Sequence, residues 1–378
     1  MESYYVKPKI YMDREGLREI LKGVSRAFIV TDRFMHERGK VSYLTDPMDQ
    51  MGISYEIFSE IKPDPDIATV TKGIGRLTDF KAEALLALGG GSAIDAAKAM
   101  NYLAARQGIL SRCTFVAVPT TSGTGSEVTS FAVISDPEKS AKYPLISDEM
   151  LPDAALLDAE LTKTVPPAIT ADTGIDVLTH AIEAFVSVKA NDFTDGAAEK
   201  AIKLVRSNLM RAYKNPDDMR ARQKMHHASC LAGMAFNNAG LGINHSMAHT
   251  LGGHFHIPHG RANGILLPYV MSFNAGCRDK LTPTANRYAR IARCCWLEGA
   301  SMRQSAFNVI RTTKQLVHQL KIPTSIAEAG VSREDFMGAL DEMVEAALND
   351  SCTPTNPRQP TPEQLRELFL EAYEGRRI

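Results

Sequence analysis

The sequence predicts a two-domain protein, in which an N-terminal α/β domain precedes a domain built of helices. Short apolar runs alternate with helical patterns in the first half of the chain, whereas helical spacing dominates after Val165. The length of 378 residues also suits two or three domains. We predict an α/β domain over 1–165 and an all-helical domain over 166–378.

Six apolar runs in the first half are predicted strands, and the helical patterns between them indicate βαβ units with a mostly parallel sheet. The runs lie at 26–32, 54–58, 84–88, 114–118, 131–134 and 154–157. Helices are predicted over 64–77 and from Ser92 onward.

In the second half, apolar residues recur at i, i+3 and i+4, which is typical of amphipathic helices. These segments are 176–186, 195–213, 223–239 and 303–320. Thr361 and Pro362 are residue types preferred at an N-cap and a first helical position, so they predict a last helix that reaches about Tyr373. A cleft between the two domains is the expected ligand site.

Composition restricts the class of protein and of partner. Hydrophobic residues make up 44% and charged residues 23% of the chain, which is typical of a globular protein and excludes a largely disordered one. The net charge of −1 favours neither nucleic acid nor an anionic membrane as partner. The sequence shows no secretory signal, no membrane span and no CxxC pair among its six cysteines, so we expect reduced thiols and a cytoplasmic location.

A glycine turn at 89–91 is a candidate phosphate site. It joins an apolar strand to a helix that begins at Ser92, and backbone N–H groups in such a turn, with the helix N-terminus, favour an anion such as pyrophosphate. The motif is not GxGxxG, and taken alone it is equally compatible with a tight turn that binds nothing.

Two further features favour a dinucleotide. Asp32 ends the first apolar strand, where a carboxylate accepts hydrogen bonds from a ribose diol and repels a 2′-phosphate, which favours NAD over NADP. The hydroxyl-rich segment 119–127 lies between two predicted strands, where it can line a phosphate or nicotinamide site. Lys142, beyond the next strand, is a candidate for contact with a ribose or phosphate, and a solvated surface lysine is the alternative.

The second domain contains a candidate metal site. Asp176 and His180 are spaced i, i+4, as are His245 and His249, and His259 follows ten residues later. A histidine-rich set suits Fe(II), Zn(II), Ni(II) or Co(II) better than Mg(II) or Ca(II). Five histidines lie within 245–259, and the spacing leaves open which of them bind metal.

Several blocks together resemble the iron-dependent, or group III, alcohol dehydrogenases, which share the dehydroquinate synthase-like fold. They are GGGSAIDAAK at 89–98, PTTSGTGSEVT at 119–129, TGIDVLTHAIEA at 173–184, the histidine-rich block at 240–268 and TNPR at 355–358. Within that family they are most similar to the 1-propanol dehydrogenases of propanediol-utilising bacterial microcompartments.

The resemblance implies a role for individual residues. The metal ligands would be Asp176, His180, His245 and His259. His249 would be the catalytic residue, beside the nicotinamide and relaying protons, with direct metal ligation as the alternative. The cofactor residues would be Asp32, Gly90, Gly91, Ser92, Asp95, Thr120, Thr121, Thr124 and Lys142. Asp64 replaces an asparagine common in the family. Phe131 and Phe236 would line the substrate pocket and make it apolar.

The implied activity is an NAD(H)-dependent alcohol dehydrogenase or aldehyde reductase that uses Fe(II), with Zn(II) as the alternative metal. The expected substrate pair is a short-chain primary alcohol and its aldehyde, 1-propanol and propanal first. Lactaldehyde reductase, 1,3-propanediol dehydrogenase and a dehydroquinate synthase-like lyase remain alternatives. The resemblance also implies a homodimer or larger homo-oligomer, and residence in a microcompartment lumen with shell proteins as partners.

Overall fold

A six-stranded parallel sheet forms the centre of the unit Tyr5–Thr164. The computed structural model describes residues 4–138, 141–277 and 280–376, without the side chains of Ala141 and Lys142. The elements of this unit are β1 (Lys9–Tyr11), α1 (Gly16–Ile20), β2 (Arg26–Asp32), α2 (Arg33–Glu37), α3 (Ser42–Met51), β3 (Ser54–Ile61), α4 (Ile67–Asp79), β4 (Ala84–Gly89), α5 (Gly91–Arg106), β5 (Thr114–Pro119), β6 (Phe131–Asp136), β7 (Ala141–Ile146) and β8 (Ala154–Leu156). The strand order is β1-β8-β5-β4-β2-β3, which confirms the predicted parallel sheet.

The central strands are apolar throughout because both faces of the sheet are covered. Phe28 and Val30 of β2 belong to one buried cluster, with Met100 of α5. Ala27 and Ile29 of the same strand belong to the other cluster, on the opposite face. The alternation follows from the two-residue repeat of a strand, in which successive side chains point to opposite faces.

One predicted strand lies outside the parallel sheet. The run 131–134 is part of β6, which pairs with β7 in a separate antiparallel hairpin. The sheet structure is thus mostly parallel, as predicted, with its antiparallel part here, because an apolar run indicates a strand but not the partner with which it pairs.

The predicted start of α4 at residue 64 is wrong. Asp64 has a left-handed backbone with φ of 54°, which an α-helix does not accept. The helix begins three residues later, where the side chain of Asp66 caps it by accepting a hydrogen bond from Thr69 N at 2.6 Å.

The rest of the chain, from Val165 onward with Tyr4, is a separate unit with no strand among its described residues. Its helices are α6 (Pro167–Val186), α7 (Asp192–Lys214), α8 (Met219–Ala239), α9 (Ile243–Phe255), α10 (His259–Ala275), α11 (Thr284–Cys294), α12 (Met302–Gln319), α13 (Arg333–Asn349) and α14 (Pro362–Glu374). None of the helices in the described part of the chain is long and apolar enough to cross a membrane.

Helix α6 begins nine residues before the predicted start at Asp176, and α10, α11 and α13 were not predicted. Almost all of α10 is buried, and it contains Pro268. A helix that is buried on all sides has no polar face, so its sequence lacks the periodicity on which the prediction depends.

Candidate functional site

The carboxyl ends of three neighbouring strands bring the predicted cofactor residues together. Strand β2 pairs in parallel with β3 on one side and with β4 on the other, so the order in which strands are added across the sheet reverses between β2 and β4. Parallel α/β sheets bind ligands at such a switch point. Asp32 ends β2, the glycine turn follows β4, and Thr120 follows β5, where its N–H donates to Gly89 O at 3.0 Å.

The glycine turn packs against the hydroxyl-rich loop. A Cβ on Gly91 would lie 2.9 Å from Thr124 Cγ2, and one on Gly90 would lie 3.4 Å from Thr121 Oγ1. Gly90 is the N-cap of α5, so the first N–H groups of that helix, from Gly91 and Ser92, lie at the turn. The turn therefore combines backbone donors with nearby threonine hydroxyls.

Asp32 has two structural tasks at this edge. Its Oδ1 accepts a hydrogen bond from Met35 N at 2.9 Å and caps α2. Its Oδ2 lies 3.7 Å from the position of a Cβ on Gly89, so the second oxygen is beside the glycine turn. The carboxylate therefore lies beside the predicted phosphate turn, and its contact with a nucleotide stays a prediction.

A buried cluster of charged side chains packs against the C-terminal end of the hydroxyl-rich loop. Lys98 Nζ donates to Ser126 Oγ, Thr129 Oγ1 and Phe131 O at 3.0, 2.9 and 2.8 Å. Burial lowers the pKa of Lys98 to about 8, against the attraction of nearby carboxylates, and burial raises the pKa of Glu127 to about 7. Lysine at this depth requires partners, so Lys98 ties α5 to the loop and to β6.

Asp95 takes part in the same cluster. Its Oδ1 accepts from Ser126 Oγ at 2.6 Å and its Oδ2 from Val133 N at 3.0 Å, and burial raises its pKa. Both oxygens thus have partners within the domain, and its role at the cofactor stays a prediction. The side chain of Lys142, on β7, lies outside the described residues.

The four predicted metal ligands come together in the helical unit. One donor atom from each of Asp176, His180, His245 and His259 lies within 4.8 Å of every other. Asp176 Oδ1 is 3.8 Å from His245 Nε2 and 3.5 Å from His259 Nε2. Ligands at the roughly 2.1 Å typical of zinc or iron would be about 3.4 Å apart in a tetrahedron.

The amide of Asn263 shows that these donor atoms are directed at one point. Asn263 Nδ2 donates to Asp176 Oδ1 at 2.7 Å and lies 3.2 and 3.1 Å from Nε2 of His245 and His259. The three ligand atoms therefore surround one nitrogen, which carries two hydrogens and can donate to two of them at a time. Three imidazoles and one carboxylate with convergent lone pairs fit a first-row divalent metal such as iron or zinc.

Two residues fix the ligands from outside. Glu183 lies one helical turn beyond His180 on α6 and hydrogen-bonds His245 Nδ1, which leaves Nε2 of that histidine for the site. Burial raises the pKa of Glu183 to about 8 and lowers that of His245. Gly260 follows His259, and a Cβ there would lie 2.1 Å from Asp172 O on α6.

His249 lies beside this cluster but has a different partner. Its Nδ1 is 2.8 Å from Asp350 Oδ2, and its ring stacks on that of His259 with centroids 5.5 Å apart. The side chain of His249 is 44% exposed, whereas that of His245 is only 1% exposed. An accessible imidazole next to a metal site is placed to exchange protons with solvent.

The two predicted pocket residues differ in their surroundings. Phe236 is buried and stacks on His180 with ring centroids 4.4 Å apart, so it also restrains a ligand. Phe131 is half-buried at the start of β6, and its carbonyl oxygen accepts from Lys98. Their part in binding substrate stays a prediction. Among the described residues, His254 and His256 do not belong to the cluster of metal ligands.

Sequence reasoning missed Lys98, Glu183, Asn263 and Asp350. One signal was available: Asp176, His180 and Glu183 share the spacing of one helix face. The contact between Asp350 and His249 spans 101 residues, and a local pattern carries no information about such a contact.

Comparison with known proteins covers both units. Residues 8–159 match the family model described as "Iron-containing alcohol dehydrogenase", and residues 170–373 match "Fe-containing alcohol dehydrogenase family, C-terminal". The chain is 45% identical to 1-propanol dehydrogenase PduQ of Salmonella typhimurium, over 98% of this chain and 100% of that protein. It is 38% identical to an NADPH-dependent butanol dehydrogenase of Clostridium saccharobutylicum, over 100% of both.

Solved structures agree with this. A 1,3-propanediol oxidoreductase is 33% identical and superposes with a TM-score of 0.92, over 99% of this chain and 100% of that one. A sulfoacetaldehyde reductase of Bifidobacterium kashiwanohense in complex with NAD+ is 28% identical with a TM-score of 0.86, over 98% of each chain.

Proposed function

This chain belongs to the iron-containing alcohol dehydrogenase family, and we propose that it interconverts a short-chain primary alcohol and its aldehyde with NAD(H). NAD(H) and iron are the cofactors of that family. The observation that carries the proposal is the convergence of Asp176, His180, His245 and His259 on one point. The similarity to a 1-propanol dehydrogenase makes 1-propanol and propanal the first substrate pair to test.

The helical unit supplies the ligands and a proton acceptor. Asp176 and the three histidines would hold Fe(II), which supplies Lewis acidity that favours an alkoxide over an alcohol. As a carboxylate, the form that a nearby bound cation favours, Glu183 would keep His245 in the tautomer whose Nε2 is free to bind. We assign to His249 the passage of the alcohol proton toward solvent, because its ring is exposed beside the ligands.

The α/β unit supplies the cofactor groups. The N–H groups of Gly91 and Ser92 would face the pyrophosphate, with Thr120, Thr121 and Thr124 as further donors. Asp32 would accept from the adenosine ribose. When bound, the nicotinamide would supply the hydride chemistry, and these residues would orient it.

Two aromatic residues favour an unsubstituted alkyl chain as substrate. Phe131 and Phe236 are apolar, so the predicted pocket has no basic group at either position to bind the polyanion that a dehydroquinate synthase-like lyase requires. Propanal should therefore be reduced faster than the more polar lactaldehyde or 3-hydroxypropanal. The similarity to PduQ supports a microcompartment context, with shell proteins as partners. A homo-oligomer and a cytoplasmic location stay predictions from the family resemblance.

The test is NADH oxidation by anaerobically iron-loaded protein with propanal, lactaldehyde and 3-hydroxypropanal. We expect turnover that is highest with propanal. His259→Ala should lose both iron and turnover but still bind NADH, whereas His254→Ala, a control on the same stretch of chain, should retain both. If no aldehyde supports NADH oxidation, or if His259→Ala keeps full iron and activity, the proposal is wrong.

A further inference from the structure

A carboxylate holds the exposed histidine beside the metal ligands. His249 lies on α9, and Asp350 directly follows α13, 101 residues later. The two are joined by a hydrogen bond of 2.8 Å between His249 Nδ1 and Asp350 Oδ2. The side chain of Asp350 is only 18% exposed, so the bond is partly shielded from water.

The carboxylate of Asp350 is itself oriented by two donors. Its Oδ1 accepts from Cys352 N at 2.8 Å and from Ser246 Oγ at 3.2 Å. Burial disfavours the charged form, yet hydrogen bonds and charge from His249, with the N–H of Cys352, lower the pKa of Asp350 to about 2. Two donors on one oxygen favour the ionised carboxylate, and a carboxylate only accepts hydrogen bonds.

This arrangement determines where the ring proton of His249 lies. Because Asp350 can only accept, His249 Nδ1 must carry a hydrogen, and the neutral ring then has its lone pair on Nε2. We propose that Asp350 is a positioning residue that holds His249 in the tautomer able to receive the substrate proton at Nε2. This inference rests on the proposed dehydrogenase function.

His249 and the cofactor together account for the proton and the hydride that the alcohol loses. In alcohol oxidation the O–H bond of the substrate breaks and an N–H bond forms at His249 Nε2, while the hydride leaves the adjacent carbon for the oxidised nicotinamide. The products are the aldehyde, NADH and a protonated imidazole, which Asp350 stabilises by its charge. The imidazole then releases its proton to water, to which it is exposed.

A substitution of equal size can reverse the tautomer. In Asp350→Asn, the donors Cys352 N–H and Ser246 O–H still require an acceptor, so the amide oxygen should take the place of Oδ1. The amide NH2 would then face His249 Nδ1 and donate to it. His249 would be left with its hydrogen on Nε2, where it cannot accept another.

The tautomer of His249 can be measured by ¹⁵N NMR of full-length protein with ¹⁵N-labelled histidine, at a pH where the ring is neutral. The signal of His249 is assigned by its absence in His249→Gln. In the unmodified protein we expect hydrogen on Nδ1, and in Asp350→Asn hydrogen on Nε2. Hydrogen on Nε2 in the unmodified protein would overturn the inference without any need for Asp350→Asn to fold.

Steady-state kinetics distinguishes a role of Asp350 in positioning His249 from a purely structural role at the end of α13. Asp350→Asn should lower kcat by about 10²-fold or more, with little change in the KM for propanal, in iron content or in NADH affinity. Asp341→Asn, on α13 and 87% exposed, is the matched control and should keep kcat. A kcat for Asp350→Asn within about 3-fold of normal would contradict the inference.

Failure of the proposed function would be recognised separately. Unmodified protein that oxidises no alcohol would disprove the dehydrogenase assignment and, with it, the catalytic purpose assigned to Asp350. The NMR spectrum needs no substrate, so the tautomer itself is decided in either case.

Discussion

Replacing Asp32 with serine should reduce the preference for NADH over NADPH without unfolding the α/β unit. Serine is as good an N-cap as aspartate, so the hydrogen bond now made by Met35 N can be kept and stability should change by only a few tenths of a kcal/mol. The substitution removes the negative charge beside the glycine turn. The cap and the charge, which Asp32 combines, can thus be separated.

The size of the effect follows from Coulomb's law. A unit charge about 4 Å from the carboxylate costs about 1 kcal/mol in water and about 4 kcal/mol at a dielectric constant of about 20. Asp32 is half-buried, so we expect a value between these limits and a gain in kcat/KM with NADPH of about 10- to 100-fold. With NADH, the lost hydrogen bonds from the ribose to a charged group should cost about 1.5–3 kcal/mol.

The assay compares kcat/KM for the two cofactors at a fixed propanal concentration, with thermal unfolding as the measure of stability. Asp218→Ser is the matched control, because Asp218 caps α8 in the other unit through Ala221 N at 3.0 Å. It should leave the cofactor ratio unchanged. Equal use of NADH and NADPH by the unmodified protein, or an equal change for both cofactors in Asp32→Ser, would refute the placement of Asp32 at the ribose.

Two further predictions concern Glu183 and Lys98, which support the predicted metal and cofactor sites. Glu183→Gln should lower metal affinity about 10- to 100-fold, because the amide can donate to His245 Nδ1 and move the hydrogen to Nε2. Competition with a chelator measures the affinity, and an unchanged affinity would contradict this reasoning. Lys98→Met should destabilise the α/β unit by about 3–5 kcal/mol and weaken NADH binding, because it removes three hydrogen bonds and leaves buried carboxylates without their cation. Denaturant unfolding and NADH titration check this, with the exposed Lys72→Met as control, and equal stability of the two variants would show that the ion cluster does not support the loop.

The parts of the fold with a strong local signal could be predicted from sequence. Strand β2 has the predicted bounds, because a continuous apolar run is what a strand buried on both faces requires. The i, i+4 spacing of Asp176 with His180 and of His245 with His249 likewise predicts that each pair lies on one face of a helix. These features depend on neighbours within a few residues of one another.

The rest depends on contacts between distant segments. The hydrogen bond of Glu183 to His245 spans 62 residues, and that of Asn263 to Asp176 spans 87. The pairing of β6 with β7 instead of the parallel sheet is likewise decided by partners and not by composition. Glu183 and Asn263 are ordinary helix residues in the sequence, and only the packed helices show that they hold the ligands.

Gly260 makes the metal site sensitive to a residue that binds nothing. Carbon and oxygen atoms in contact are normally about 3.3 Å or more apart, so a methyl group at 260, placed 2.1 Å from Asp172 O, would push α10 from α6 by about 1 Å. Metal sites tolerate errors of only about 0.2 Å in ligand distance. A protein engineer who keeps every ligand but exchanges this glycine would therefore obtain a folded protein with a damaged site. The distance between the backbones of α6 and α10 therefore determines the geometry of the metal ligands. Mutant libraries that vary the pocket should leave position 260 unchanged.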